Sequence, residues 1–180
     1  MELMKYYEFV VKGNAKGGVL YAPTSWPRPI AEDGKDVYNW QSLIVELKDG
    51  PYRHFHLCVG WANMVSEDMK DLLQSLTGVN DALEFLPVQV ISKEYGNKIY
   101  FIMHFKKVFD VIDKERTVYV PGTESIIKPW VDYGKVKDLE IFNSRPFIND
   151  VIVSARIRKE IKKHKLDDGL EFMPVYCEKK

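Results

Sequence analysis

The sequence predicts an α+β fold, mostly antiparallel sheet with two main helices, and three observations predict it. A helix-then-strand unit is written twice: residues 65–88 read VSEDMKDLLQSLTGVNDALEFLPV and residues 153–175 read VSARIRKEIKKHKLDDGLEFMPV, alignable with one residue of gap. Short apolar runs of strand character follow one another instead of alternating with helices, which argues against a parallel βαβ sheet. The chain of 180 residues is 46% apolar, enough to bury a core as one domain or two small ones. Residues 1–60 read as strands and an aromatic loop that form part of one domain. Residues 61–180 read as the region built around the duplicated unit.

The elements follow in order. Residues 3–11 predict a first strand, 14–18 a turn and 19–21 a returning strand, hence a hairpin. Residues 22–42, with three prolines and Gly34, predict a loop. Residues 43–47 predict a strand, Asp49-Gly50-Pro51 a turn, and 52–59 another strand. After the first unit, residues 93–97 predict a hairpin turn with Gly96-Asn97 at its tip, leading into the apolar strand 98–105. Residues 107–113 predict one or two helical turns that bury Val108, Val111 and Ile112. Residues 117–120, 125–131 and 139–142 predict short strands.

Within each unit the physics is legible. Ser66 and Ser154 suit the N-cap, where a hydroxyl accepts from a helical N–H that has no intrahelical partner. Glu67 and Asp68 set negative charge at the positive end of the first helix. Met69, Leu72, Leu73 and Leu76 make one buried stripe, and Ile157 with Ile161 a thinner one. Gly78 and Gly169 stand where a helix or turn ends. Pro87 and Pro174 lack an N–H, so each is expected at a sheet edge, a bulge or a strand end.

Composition excludes several classes. The net charge is zero, so the chain as a whole has no electrostatic draw to nucleic acid or acidic membrane. Its halves differ: 8 Lys+Arg against 12 Asp+Glu in residues 1–90, and 18 against 14 in 91–180. Cys58 and Cys177 are too few for a disulfide framework, which favours a reduced compartment. The opening MELMKYYEFVVKG has no signal-peptide character, and no stretch approaches the ~20 apolar residues of a membrane span. A cytoplasmic location is expected.

No catalytic constellation stands out. His54, His56 and Cys58 alternate on one predicted strand face and raise a metal site, against the commoner reading of a half-buried polar strand face. Asp110, Asp113 and Glu115 raise acid–base chemistry, but Lys106, Lys107, Lys114 and Arg116 among them suggest surface ion pairs. His104, inside an apolar strand, reads as structural. Ser144 and Ser154 lack a nucleophile-elbow setting, and Asn14–Gly18 lacks the phosphate-loop spacing. The run from Arg156 to Lys165 raises nucleic-acid binding, yet it carries Glu160 and no stacking aromatics. No metal, cofactor or catalytic residue is assigned. The loop 22–42 carries Trp26, Arg28, Tyr38 and Trp40, the residue types enriched at binding hot spots. These four are the candidate partner-binding residues; the alternative is that the two tryptophans fold back and lid the core.

A spaced set of phrases then resembles a known family. Val65-Ser66 opens a helix and Leu83-Glu84-Phe85-Leu86-Pro87-Val88 follows it. Ile99-Tyr100-Phe101 comes next, then Val108-x-x-Val111-Ile112-Asp113, Leu139-Glu140-Ile141-Phe142, the lead-in 147–154, and Gly169-Leu170-Glu171-Phe172-x-Pro174-Val175. Over about residues 60–177 the chain resembles immunity protein family eleven of bacterial polymorphic-toxin systems, with Thr117 where that family usually has Ser. The resemblance implies a non-enzymatic cytoplasmic antidote that binds a cognate secreted toxin and occludes it. It supplies no catalytic residue, no cofactor and no particular toxin. Two other readings stand beside it: a metal-dependent hydrolase using His54, His56 and Asp113, and a nucleic-acid module using residues 156–163.

Overall fold

The computed structural model describes residues 3–13, 17–23, 33–58, 62–78, 82–144 and 151–178. The elements are β1 (Leu3–Val11), β2 (Val19–Tyr21), β3 (Leu43–Lys48), β4 (Phe55–Cys58), β5 (Ala62–Ser66), α1 (Glu67–Leu76), β6 (Leu83–Ile91), β7 (Lys98–Phe105), β8 (Val118–Tyr119), β9 (Ile126–Lys128), β10 (Trp130–Asp132), α2 (Tyr133–Val136), β11 (Ile141–Asn143), β12 (Val151–Ser154), α3 (Ala155–Lys163) and β13 (Leu170–Glu178). The class is α+β, with the short α2 added to the two expected helices.

Two sheets organise the chain. One is a closed barrel, β2-β3-β6-β7-β5-β4, and the other an open sheet, β10-β13-β1-β12-β11. The run β3-β6-β7-β5-β4 matches the open sheet strand for strand. In each the first pair is parallel and the remaining three antiparallel. The registers match as well. Ser66 and Val88 both lie opposite Tyr100, while Ser154 and Val175 both lie opposite Tyr6. Both tyrosines are buried, and their hydroxyls donate to the carbonyls of Arg53 (2.5 Å) and Val136 (2.7 Å). Burial raises both phenol pKa values far above the ordinary 10.

The helices correspond too. Ser66 Oγ accepts from Met69 N and Ser154 Oγ from Ile157 N, each at 3.3 Å, so both expected caps form. Met69 with Leu73, and Ile157 with Ile161, are the buried faces. Lys70 Nζ stands 4.7 Å from the Phe101 ring centre and the Arg158 guanidinium 4.3 Å from that of Tyr7.

Several expectations give way to long-range pairing. The hairpin of residues 3–21 does not form: β1 pairs with β12 and β13, and β2 with β3 and β4. The turn residues 14–16 fall outside the described set. Residues 107–113 are not helical. Val108 bridges Asn143 in parallel and Ile112 bridges Val131 antiparallel, so the segment spans the two edges of the open sheet. β2 spans β3 and β4 with those same two orientations. Pro87 and Pro174 lie in interior strands, but each stops where a parallel neighbour begins. β3 meets β6 from Val88 onward, and β10 meets β13 from Tyr176 onward. The missing N–H therefore falls beyond the neighbour's reach.

The core has three parts. Leu20, Val45, Met64, Val88, Val90 and Tyr100 are among those that fill the barrel. Tyr6, Val131, Phe142, Ile152, Val175 and Cys177 fill the corresponding side of the open sheet. Phe9, Phe55, Met69, Leu73, Phe105, Ile157 and Ile161 join the two sheets and both long helices in one cluster.

The chain enters β6 and β13 through a left-handed residue, Ala82 (φ 51°) and Gly169 (φ 87°). Their carbonyls accept from Lys106 N (2.8 Å) and Lys12 N (3.0 Å). A Cβ at 169 would collide with the Phe55 carbonyl oxygen. Gly169→Ala is therefore expected to cost ~1–3 kcal/mol. Ala82→Gly, by contrast, is expected to gain ~0.5–1 kcal/mol, because it relieves a left-handed Ala. Opposite shifts of the two urea midpoints check this; shifts of the same sign would show that the positions are not equivalent. α1 ends on the extended cap Thr77.

Candidate functional site

The loop predicted to hold the partner-binding residues is described from Asp33 onward. Trp26 and Arg28 lie outside the described residues. Tyr38 is 80% exposed, its hydroxyl 3.3 Å from the Asp36 carboxylate that accepts from it. Trp40 is half-buried, packs against the barrel core, and donates from Nε1 to the Pro87 carbonyl at 2.9 Å. Trp40 thus folds back as a lid, while Tyr38 stands free of the core.

Asp33, a residue that sequence reasoning missed, fastens this loop. Its carboxylate accepts from Phe105 N (2.9 Å) at the end of β7 and from Asn143 Nδ2 (2.7 Å) on β11. One aspartate thereby ties the loop to both sheets. The only signal in the sequence is an Asp before Gly34, a common turn pair.

An open depression of ≈470 Å³ lies where α1 begins, beside the start of β7. Glu67, Asp68 and Asp168 are exposed on its wall, and Lys98 reaches over the Tyr52 ring at 4.7 Å. His54 and Ser66 also line it, with Nδ1 and Oγ 2.8 Å apart. That hydroxyl is the cap of α1, so the pair has a structural task. The corresponding place on the open sheet is filled from within. Glu140 bonds Ser154 Oγ and pairs with Arg156 Nε at 3.0 Å, and Arg156 also donates to Leu76 O at 2.6 Å.

The three predicted metal-ligand types separate. His56 points into the barrel, where Nε2 accepts from Arg53 N at 3.0 Å and the ring meets Tyr100 edge-on. Burial, then the Arg53 charge, push its pKa down to about 4. Cys58 is buried near the Leu20 carbonyl. Among the described residues no group of three His, Cys, Asp or Glu side chains is arranged to hold a metal ion. Asp113 belongs to the other sheet and pairs with Arg116 at 3.6 Å. His104 is fully buried against Glu84 at 2.7 Å, as its apolar setting predicts.

Part of the basic run of α3 makes contacts within the chain, although Arg156, Lys159, Lys162 and Lys163 stay exposed. Arg158 donates to Tyr7 Oη (3.0 Å), Lys162 lies over Phe172, and Lys163 pairs with Glu160 at 3.0 Å. No helix among the described residues is long and apolar enough to cross a membrane.

The phrases that carry the family resemblance fall on the shared framework: Leu83–Val88 in β6, Ile99–Phe101 in β7, 108–113 across the open sheet, and Leu170–Val175 in β13. No curated protein matches the chain. The model of the immunity protein family Imm11 matches residues 33–177, starting at the aspartate that joins the loop to both sheets. With most of its length matched, this chain belongs to the Imm11 immunity protein family.

Proposed function

We propose that this protein neutralises a cognate toxin by binding it and occluding its active surface, in the cytoplasm of the cell that makes both. The observation that carries this reading is the family match over residues 33–177. Arg156, Arg158 and Lys163 of α3 bond to other side chains of this chain, and no aromatic interleaves the run, which supports a protein partner over nucleic acid. The loop with Trp26, Arg28, Tyr38 and Trp40 supplies anchors: Tyr38 is presented to solvent, and Trp40 stiffens the loop from beneath. We read residues 65–88 and 153–175 as a duplicated unit within a single scaffold, 1–60 included. The matched registers around Tyr100 and Tyr6 support this, as does the pairing of β1 with β12 and β13. No cofactor enters the mechanism.

The test is rescue. The reading frame adjacent to this one is expressed in a bacterium under tight control, with and without this protein. Growth arrest that this protein relieves, together with co-purification of the pair, is the expected result. Arrest without relief would sink the proposal.

A further inference from the structure

The two sheets correspond, so a place where one is covered and the other bare is informative. On the open sheet the outward pair Trp130 and Tyr176 is roofed. The rings stack at 5.4 Å, with Lys128 Nζ 4.6 Å from Tyr176 and the Arg116 guanidinium 5.5 Å from Trp130. Arg116 is itself held by Glu178 at 2.6 Å. The corresponding pair on the barrel is Ile44 and Gln89, extended across β7 by Ile99. Ile44 is 50% and Ile99 48% exposed. The next outward row, Tyr21, Glu46 and Ile91, is also open to solvent. These outward isoleucines, on β3 and β7 with β6 between them, add nothing to the barrel interior, which Val45, Val88, Val90 and Tyr100 already fill.

We infer that this barrel face, centred on Ile44, Gln89 and Ile99, is where the toxin docks, and that the docking surface has an apolar centre edged by lysine or arginine. The inference rests on the immunity reading and names the face that reading requires. Charge complementarity argues for the occupant. Ile99 borders the depression whose wall exposes three carboxylates, Glu67, Asp68 and Asp168, against one exposed amine, Lys98. Within the chain, the roof over the counterpart row is also cationic. Trp40, bonded to Pro87 two residues before Gln89, joins the anchor loop to the same face. An aliphatic centre would supply affinity and the acidic margin the on-rate.

The test measures binding of the purified product of the adjacent reading frame, by calorimetry and stopped flow. Ile44→Ser with Ile99→Ser is expected to weaken affinity ~10–100-fold with melting temperature little changed. Asp68→Lys with Asp168→Lys is expected to slow association ~10-fold and to flatten its salt dependence. Ile127→Ser, an exposed isoleucine on β9, is the control and should bind as the wild type does. Wild-type affinity in both double variants overturns the inference and leaves the immunity reading standing. A wild-type protein that fails to bind overturns both. Sedimentation gives the other contrary result: a wild-type dimer split by the isoleucine variant would assign the face to a second copy of this chain.

Discussion

Replacing Phe9 by Ala is expected to remove about 3–5 kcal/mol of stability, the largest single loss among the side chains considered. Phe9 lies on β1, the middle strand of the open sheet, and is completely buried. Its ring meets Phe55 of the barrel edge-on at 5.7 Å and Phe172 of β13 at 5.6 Å. Truncation therefore opens a cavity between the sheets, and neither can collapse into it without breaking its own register. Phe172, only half-buried, should cost less when truncated, and so should its counterpart Phe85. Urea denaturation is the check: the midpoint of Phe9→Ala falls while the slope stays near wild type. A loss below ~1 kcal/mol would mean that the ring does not bridge the sheets.

That bridge explains which parts of the fold are legible in the sequence. Serine caps and the strand 98–105 are local events, written in a few neighbouring residues, and both form as read. Pairing is not local. Residues 3–11 and 19–21 look like a hairpin because a turn stands between them, yet the partners of β1 lie at the other end of the chain. The spacing of Val108, Val111 and Ile112 suits a helical turn as well as it suits an extended segment. The unpaired edges of β10 and β11 decide between them.

The candidate surface divides the same way. Trp40 and Tyr38 are visible as residue types, but only the structure shows that one ring is a lid and the other is presented to solvent. Ile44 and Ile99 read as ordinary strand residues, because β-branched side chains favour either face. Their outward position, and the covered counterpart that makes it unusual, exist only after the sheets are assembled.

His56 offers the second large effect, as a dependence on pH. Its Nε2 accepts from Arg53 N, so the folded barrel holds the neutral ring. Burial, reinforced by the Arg53 charge, lowers its pKa from 6.5 to about 4. Between those values the unfolded chain binds a proton that the folded chain refuses. Stability is then fully present above pH ~6.5 and declines as the pH falls toward 4, by roughly 3 kcal/mol in all. The matching position on the open sheet is Phe142, opposite Ile152 as His56 is opposite Met64. His56→Phe should therefore fit the site and lose the acid-sensitive part of the profile, at a baseline ~1–3 kcal/mol lower because Arg53 N–H loses its acceptor. Denaturant melts from pH 7.5 to 4.5 on both proteins decide the matter. An equal slope in both would assign the acid sensitivity to other groups. A slope in the wild type alone would make His56 a neutral core acceptor, a position that Phe142 fills on the open sheet without titrating.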